Sequence, residues 1–134
     1  MDASVLLAGE DADDAQHEAA RELLAGSATL STLDLACYEV GNVAVRAWRD
    51  VAAAARLQGL VAAIAADGGL VRADETIVAH AVSLADSKGL SVYDAGYVAG
   101  AASVGARLVS CDLRALVNRD LAVTPRQAVD QTEM

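Results

Sequence analysis

Four carboxylates stand at places in this chain where a solvated surface acid is not expected. Asp2 opens the apolar run Ala3 to Ala8, Glu39 interrupts the apolar stretch Leu35 to Val45, Asp94 falls in the first turn of a helix starting at Ser91, and Asp112 closes the run Arg107-Leu108-Val109-Ser110-Cys111. Burying a carboxylate without a partner is costly, and Arg46 and Arg114 are the cations nearest to them in sequence. A divalent cation is the economical partner. Mg²⁺ and Mn²⁺ take hard oxygen ligands and keep several waters, so a few carboxylates from separate segments suit them. Such a site can lower the pKa of a water and offset the charge of a phosphoryl group.

Each acid also has a plainer reading. Ser91 and Asp94 fit an S-x-x-D capping box, Asp112 can cap the next helix, Asp2 can be a chain end, and Glu39 can face solvent. The combination favours a site. Glu39, Asn42 and Arg46 share one helix face by their i, i+3, i+7 spacing, which lines an acid, an amide and a cation along one groove wall. Arg46, Arg49, Arg114 and Arg119 are the arginines placed to meet phosphate, and Trp48 reads as packing in the core or at an interface. His17 and His80 read as structural. Cys37 and Cys111 lie outside any C-x-x-C or Cys/His cluster, so neither a zinc site nor a disulfide framework is expected, and a reducing cytosol fits.

The elements that must position these acids follow from the apolar pattern. With 134 residues, 54% of them hydrophobic, the chain reads as one domain over 1–134 with a core of Ala, Val and Leu, since Phe is absent. Ten basic residues against nineteen acidic ones leave a net charge of −9, which excludes a surface that holds nucleic acid by bulk positive charge. Short strands are expected at Ala3 to Ala8, Ala28 to Leu30, Leu70-Val71, Arg107 to Cys111 and Leu121 to Val123. Helices are expected over His17 to Leu24, from a cap at Ser31 or Thr32 through Leu35 to about Arg49, over Asp50 to Ala66, Ile77 to Lys88, Ser91 to Ser103 and Leu113 to Asn118, with a last short one capped by Thr124-Pro125. Strands without a polar face, alternating with helices, imply a parallel sheet covered on both sides, with reactive groups at the carboxyl ends of its strands. No apolar run approaches a membrane span, and no basic segment precedes the first apolar run, so a cytoplasmic protein with no membrane partner is expected.

Taken together, Asp2-Ala3-Ser4-Val5-Leu6, Glu39 with Gly41-Asn42-Val43, Tyr93-Asp94-Ala95-Gly96-Tyr97 and Leu108-Val109-Ser110-Cys111-Asp112 resemble the four acidic motifs of PIN domains, and specifically of VapC-type toxins. The likeness runs from Asp2 to about Val123. It implies an α/β fold: a three-layer α/β/α sandwich around a central parallel sheet of four to five short strands. It also implies a pocket binding Mg²⁺ or Mn²⁺ through Asp2, Glu39, Asp94 and Asp112, with Ser4, Ser110 and Asn42 as polar neighbours and Arg46, Arg49 and Arg114 on the substrate side. The implied activity is metal-dependent endoribonuclease cleavage of single-stranded RNA regions by attack of an activated water on a phosphodiester. Implied partners are the RNA, a cognate VapB-like antitoxin and a second copy in a homodimer. The alternative is a PIN-like binding module that sequesters RNA or a protein without cutting. A phosphoacceptor receiver domain is set aside, because it needs a lysine after a late strand and the only one, Lys88, precedes Gly89 at a helix end.

Overall fold

The first apolar run folds as a helix. In the computed structural model, which describes residues 1–133, α1 spans Ala3–Glu10 where a strand was expected. The reason is local. Asp2 is extended and caps the helix, its side chain accepting the Ser4 N–H. Ala3, Val5, Leu6 and Ala8 are all buried, so the run is apolar all round and carries no period that separates helix from strand. What remains of the expected first strand is Met1-Asp2. The Met1 nitrogen donates to the Ser31 carbonyl (2.8 Å), and the Asp2 N–H donates to the Val109 carbonyl (3.1 Å).

Those two residues join the halves of a thin sheet. On one side β1 (Thr32–Leu33) pairs in parallel with β2 (Leu70–Val71), Thr32 opposite Leu70 and Leu33 opposite Val71. The expected strand at 28–30 is thus displaced to Thr32–Leu33, and the helix expected to be capped by Ser31 or Thr32 starts only at Leu35, after Asp34, because Thr32 is drawn into this pairing. On the other side Val109 and Val123 form one parallel bridge, held by Ser110 N–H to the Val123 carbonyl and Val123 N–H to the Leu108 carbonyl, both 2.9 Å. The expected strands 107–111 and 121–123 contribute only this. Among the described residues the one ladder is the two-stranded parallel pair β1–β2, with the Val109–Val123 bridge beside it and single hydrogen bonds through Met1 and Asp2 connecting them, so the expected sheet of four to five strands is reduced to this.

Helices do the rest of the work of folding. They are α2 (His17–Ala25), α3 (Leu35–Arg46), α4 (Val51–Ala66), α5 (Glu75–Lys88), α6 (Val92–Ser103) and α7 (Pro125–Thr132). Asp50, Asp74 and Ser91 cap α4, α5 and α6, and Thr124 with Gln127 forms a capping box at α7 with Pro125 at its first position. The α3 helix stops at Arg46 rather than near Arg49, because Arg49 takes a positive φ of 52° and Asp50 starts the next helix. Residues 113–118 form turns instead of the expected helix, with a 3-10 turn at Val117–Arg119.

Two apolar clusters result. Leu6, Leu33, Val40, Leu57, Ile64, Leu108 and Leu116 belong to one that joins α3, α4, α5 and α6. Val5, Ala8, Ala20, Leu23 and Val129 belong to another that joins α1, α2 and α7, and Val109 packs against it. Leu108 and Val109, neighbours on an extended segment, therefore serve opposite faces. This is the α/β/α layering with a minimal middle layer. Gly100 of α6 lies against Leu33, where an added Cβ would meet its side chain at 3.1 Å.

The register of β2 depends on one close approach. A Cβ on Gly69 would fall 2.1 Å from the Leu30 carbonyl oxygen, so Gly69→Ala must shift backbone and should destabilise by about 1–3 kcal/mol. Gly59, inside α4, meets nothing within 4 Å, so Gly59→Ala should stabilise by about 0.5–1 kcal/mol. Urea midpoints of the two variants check both signs.

Candidate active site

Asp2 is 5% exposed, and its carboxylate is held by the protein itself. Oδ1 accepts the Ser4 N–H (3.1 Å) and the Ser4 hydroxyl; Oδ2 accepts the Ser110 hydroxyl at 2.6 Å. Each serine then accepts from the far segment: Ser4 Oγ takes the Cys111 N–H (2.8 Å) and Ser110 Oγ takes the Asp112 N–H (3.0 Å). Because those lone pairs face N–H donors, both hydroxyl protons point at Asp2. Hydroxyls and an amide thus offset part of this burial from within the chain. Three of the roughly four lone-pair positions of the carboxylate are taken, which leaves room for one further ligand.

The other acids come from three further segments. Glu39, half-buried on α3, accepts the Tyr97 hydroxyl of α6 on Oε1 at 2.6 Å. Asp94 sits one turn before Tyr97, half-buried, its N–H donating to the Ser91 hydroxyl (3.0 Å). Asp112 is exposed and its Oδ1 accepts the Ala115 N–H (2.9 Å) of the turn that stands where a helix was expected, without using its second oxygen.

Burial pushes the Asp2 carboxyl above its ordinary value, against the pull of the Ser110 and Ser4 hydroxyls. Glu39 is raised by burial and also by the charges of Asp2 and Asp94; Asp94 is raised by burial and by Asp112. Repulsion therefore runs along all four acids. Tyr97 is raised far above its usual range, first by burial and then by Glu39, which keeps its hydroxyl a donor. Burial also lifts the Cys111 thiol to about 11, an unreactive value near neutral pH.

Among the described residues, no three His, Cys, Asp or Glu side chains converge tightly enough to form a ready metal cage. The chemistry of the donor set still fits a hard divalent cation: all four groups are carboxylates, their charges repel, and Glu39 and Asp112 each have an oxygen outside these hydrogen bonds. The fit is to an open, water-rich sphere. By contrast the densest acidic run, Glu10 to Asp14, is spent on structure, with Asp11 and Asp14 accepting turn N–H groups and Glu10 paired with Arg56.

Ser4 and Ser110 are brought to Asp2 as expected from the sequence, whereas Asn42 is exposed on α3. Arg46, Arg49 and Arg114 are exposed and, among the described residues, form no ion pair with the acids. Arg119 is turned to the Lys88 carbonyl. The sequence reading assigned no role to Tyr97, although its spacing of three from Asp94 on one helix placed both on one face.

A model of the PIN domain family matches residues 1–120, and the chain belongs to that family. No curated protein matches the chain. PIN domains are in general nucleases, typically with divalent metals, and the α/β fold described above is theirs.

Raised carboxyls make a signed prediction. A folded-state pKa above the unfolded value favours folding below the ordinary carboxylate range, near pH 4, and that contribution is lost as pH climbs through the raised values. In EDTA, Tm should therefore fall between mildly acidic and neutral pH. Asp94→Asn should raise Tm by a few degrees at pH 7.5 and shrink the fall; a lowered Tm would mean that Asp94 serves only the α6 amino terminus. Thermal melts at both pH values check this.

Proposed function

We propose that this PIN-domain chain is a metal-dependent endoribonuclease of the VapC toxin type, acting in the cytoplasm on single-stranded regions of RNA. The observation that carries the reading is that Asp2, Glu39, Asp94 and Asp112 come from four separate segments and influence one another in turn, Asp2 and Asp94 raising Glu39 and Asp112 raising Asp94. Asp2, with one open position, and the outward oxygens of Glu39, Asp94 and Asp112 would hold Mg²⁺ or Mn²⁺. Such an ion supplies charge neutralisation and a more acidic water. Ser4 and Ser110 orient the Asp2 carboxylate and oppose the rise that burial imposes on it. Arg46, in the last turn of α3 and two turns from Glu39, together with Arg49 and Arg114, binds phosphate, while Asn42 offers an amide beside the same groove.

The partners follow from the same features. A VapB-like antitoxin would silence the site by presenting an Arg or Lys to the carboxylates, which form no salt bridge among the described residues. Pairing of two copies is supported by the apolar groove between α3, α5 and α6, where Tyr38, Val78, Val92 and Tyr93 are exposed. The spread of the acids favours a second reading, a module that binds RNA without cutting it.

The purified protein should cleave structured RNA with Mn²⁺ and not with EDTA, and Glu39→Gln should abolish cleavage. RNA binding without cleavage by the wild type would select the binding module. Arg46→Ala should weaken RNA binding and flatten its salt dependence by about one phosphate contact, leaving Mn²⁺ affinity unchanged. Filter binding across a salt series reads the slope.

A further inference from the structure

The most constrained polar group not assigned a task so far is the Tyr97 hydroxyl. Its residue is 4% exposed, within the packed face of α6 formed with Ala95, Gly96, Ala99 and Gly100. The hydroxyl is spent on one acceptor, Glu39 Oε1, at 2.6 Å and across 58 positions of sequence. That bond ties α3 to α6.

We infer that Tyr97 is the positioning residue of the site: its hydroxyl fixes the Glu39 carboxylate so that the remaining oxygen faces the same volume as Asp94. The inference rests on the reading of Glu39 and Asp94 as metal ligands. Geometry argues for it in three steps. Asp94 and Tyr97 are three residues apart on one helix, so they lie on one face and their spacing is fixed by the backbone. Glu39 reaches that face from another helix on a side chain with three rotatable bonds, and among the described residues nothing else bonds its carboxylate. A buried aromatic ring has little rotamer freedom, so a bond from its tip converts a mobile acid into a placed one.

Ser4 and Ser110 do the same for Asp2, with the difference that there both oxygens are engaged. At Glu39 one oxygen is anchored and one left open. This is the pattern of a ligand whose outer partner orients it, and losing such a partner typically costs 10–100-fold in metal affinity.

The test uses Tyr97→Phe, which removes the hydroxyl and keeps the ring. Mn²⁺ binding followed by electron paramagnetic resonance should weaken by about 10–100-fold while circular dichroism stays that of the wild type, and cleavage lost at low Mn²⁺ should return at high Mn²⁺. In a Glu39→Gln background, Tyr97→Phe should cost no further Mn²⁺ affinity, since the inferred effect runs through that carboxylate and not through the Ala3 backbone that the hydroxyl also meets. Unchanged Mn²⁺ affinity in Tyr97→Phe, or a further loss in the Glu39→Gln background, overturns the inference and leaves the nuclease reading standing. A wild type that binds no Mn²⁺ overturns both. Should Tyr97→Phe not fold, Glu39→Asp, too short to keep the bond, must show the same loss; wild-type affinity there overturns the inference.

Discussion

A carboxylate buried at the first turn of the chain is the constraint on which the rest of this molecule depends. Asp2 cannot shed its charge into solvent, so hydroxyls must come to it, and the two that do lie on segments far apart in sequence. Ser110 brings with it the backbone of residues 108–112, which then bridges Val123. Ser4 brings α1, and Met1-Asp2 lies between this half of the sheet and β1. A sheet with strands this short has too few ladder bonds to hold its own register. The bonds to Asp2 supply what the ladder lacks, and they fix Asp112 beside the same point.

Stability and chemistry pull against each other here. A molecule of net charge −9 would gain by moving acids apart, yet Asp2, Glu39 and Asp94 are partly or fully withdrawn from water with their charges facing one another. Structural acids in this chain are treated otherwise: Asp50 and Asp74 cap helices and Glu10 pairs with Arg56. Strain at Glu39, which serves neither as a cap nor in an ion pair, points to a task, and a cation that relieves it would bind with that relief as part of its affinity.

Much of this was legible in the sequence because it follows from local rules. Helix starts at Asp50, Asp74, Ser91 and Thr124 obey capping chemistry, and β2 at Leu70–Val71 is bounded by Gly69 and by Arg72. Misreadings occurred where burial erases pattern: Ala3 to Ala8 is apolar on every side, so a helix and a strand look alike there. The strand at Thr32–Leu33, rather than 28–30, is set by pairing with Gly69 and Val71, which no local signal encodes. In the site, the acids stood out by type. Tyr97 did not, since an aromatic in a helix reads as core until its hydroxyl is seen on Glu39.

The claim at the centre of this account is that Asp2, Glu39, Asp94 and Asp112 surround one divalent-cation position. Anomalous diffraction from crystals grown with Mn²⁺ addresses it directly. The account predicts a manganese peak within about 2.0–2.4 Å of carboxylate oxygens from at least two of these residues, with water completing the sphere. A peak at the Glu10 to Asp14 turn instead, or none at these four acids with millimolar Mn²⁺ present, would contradict it.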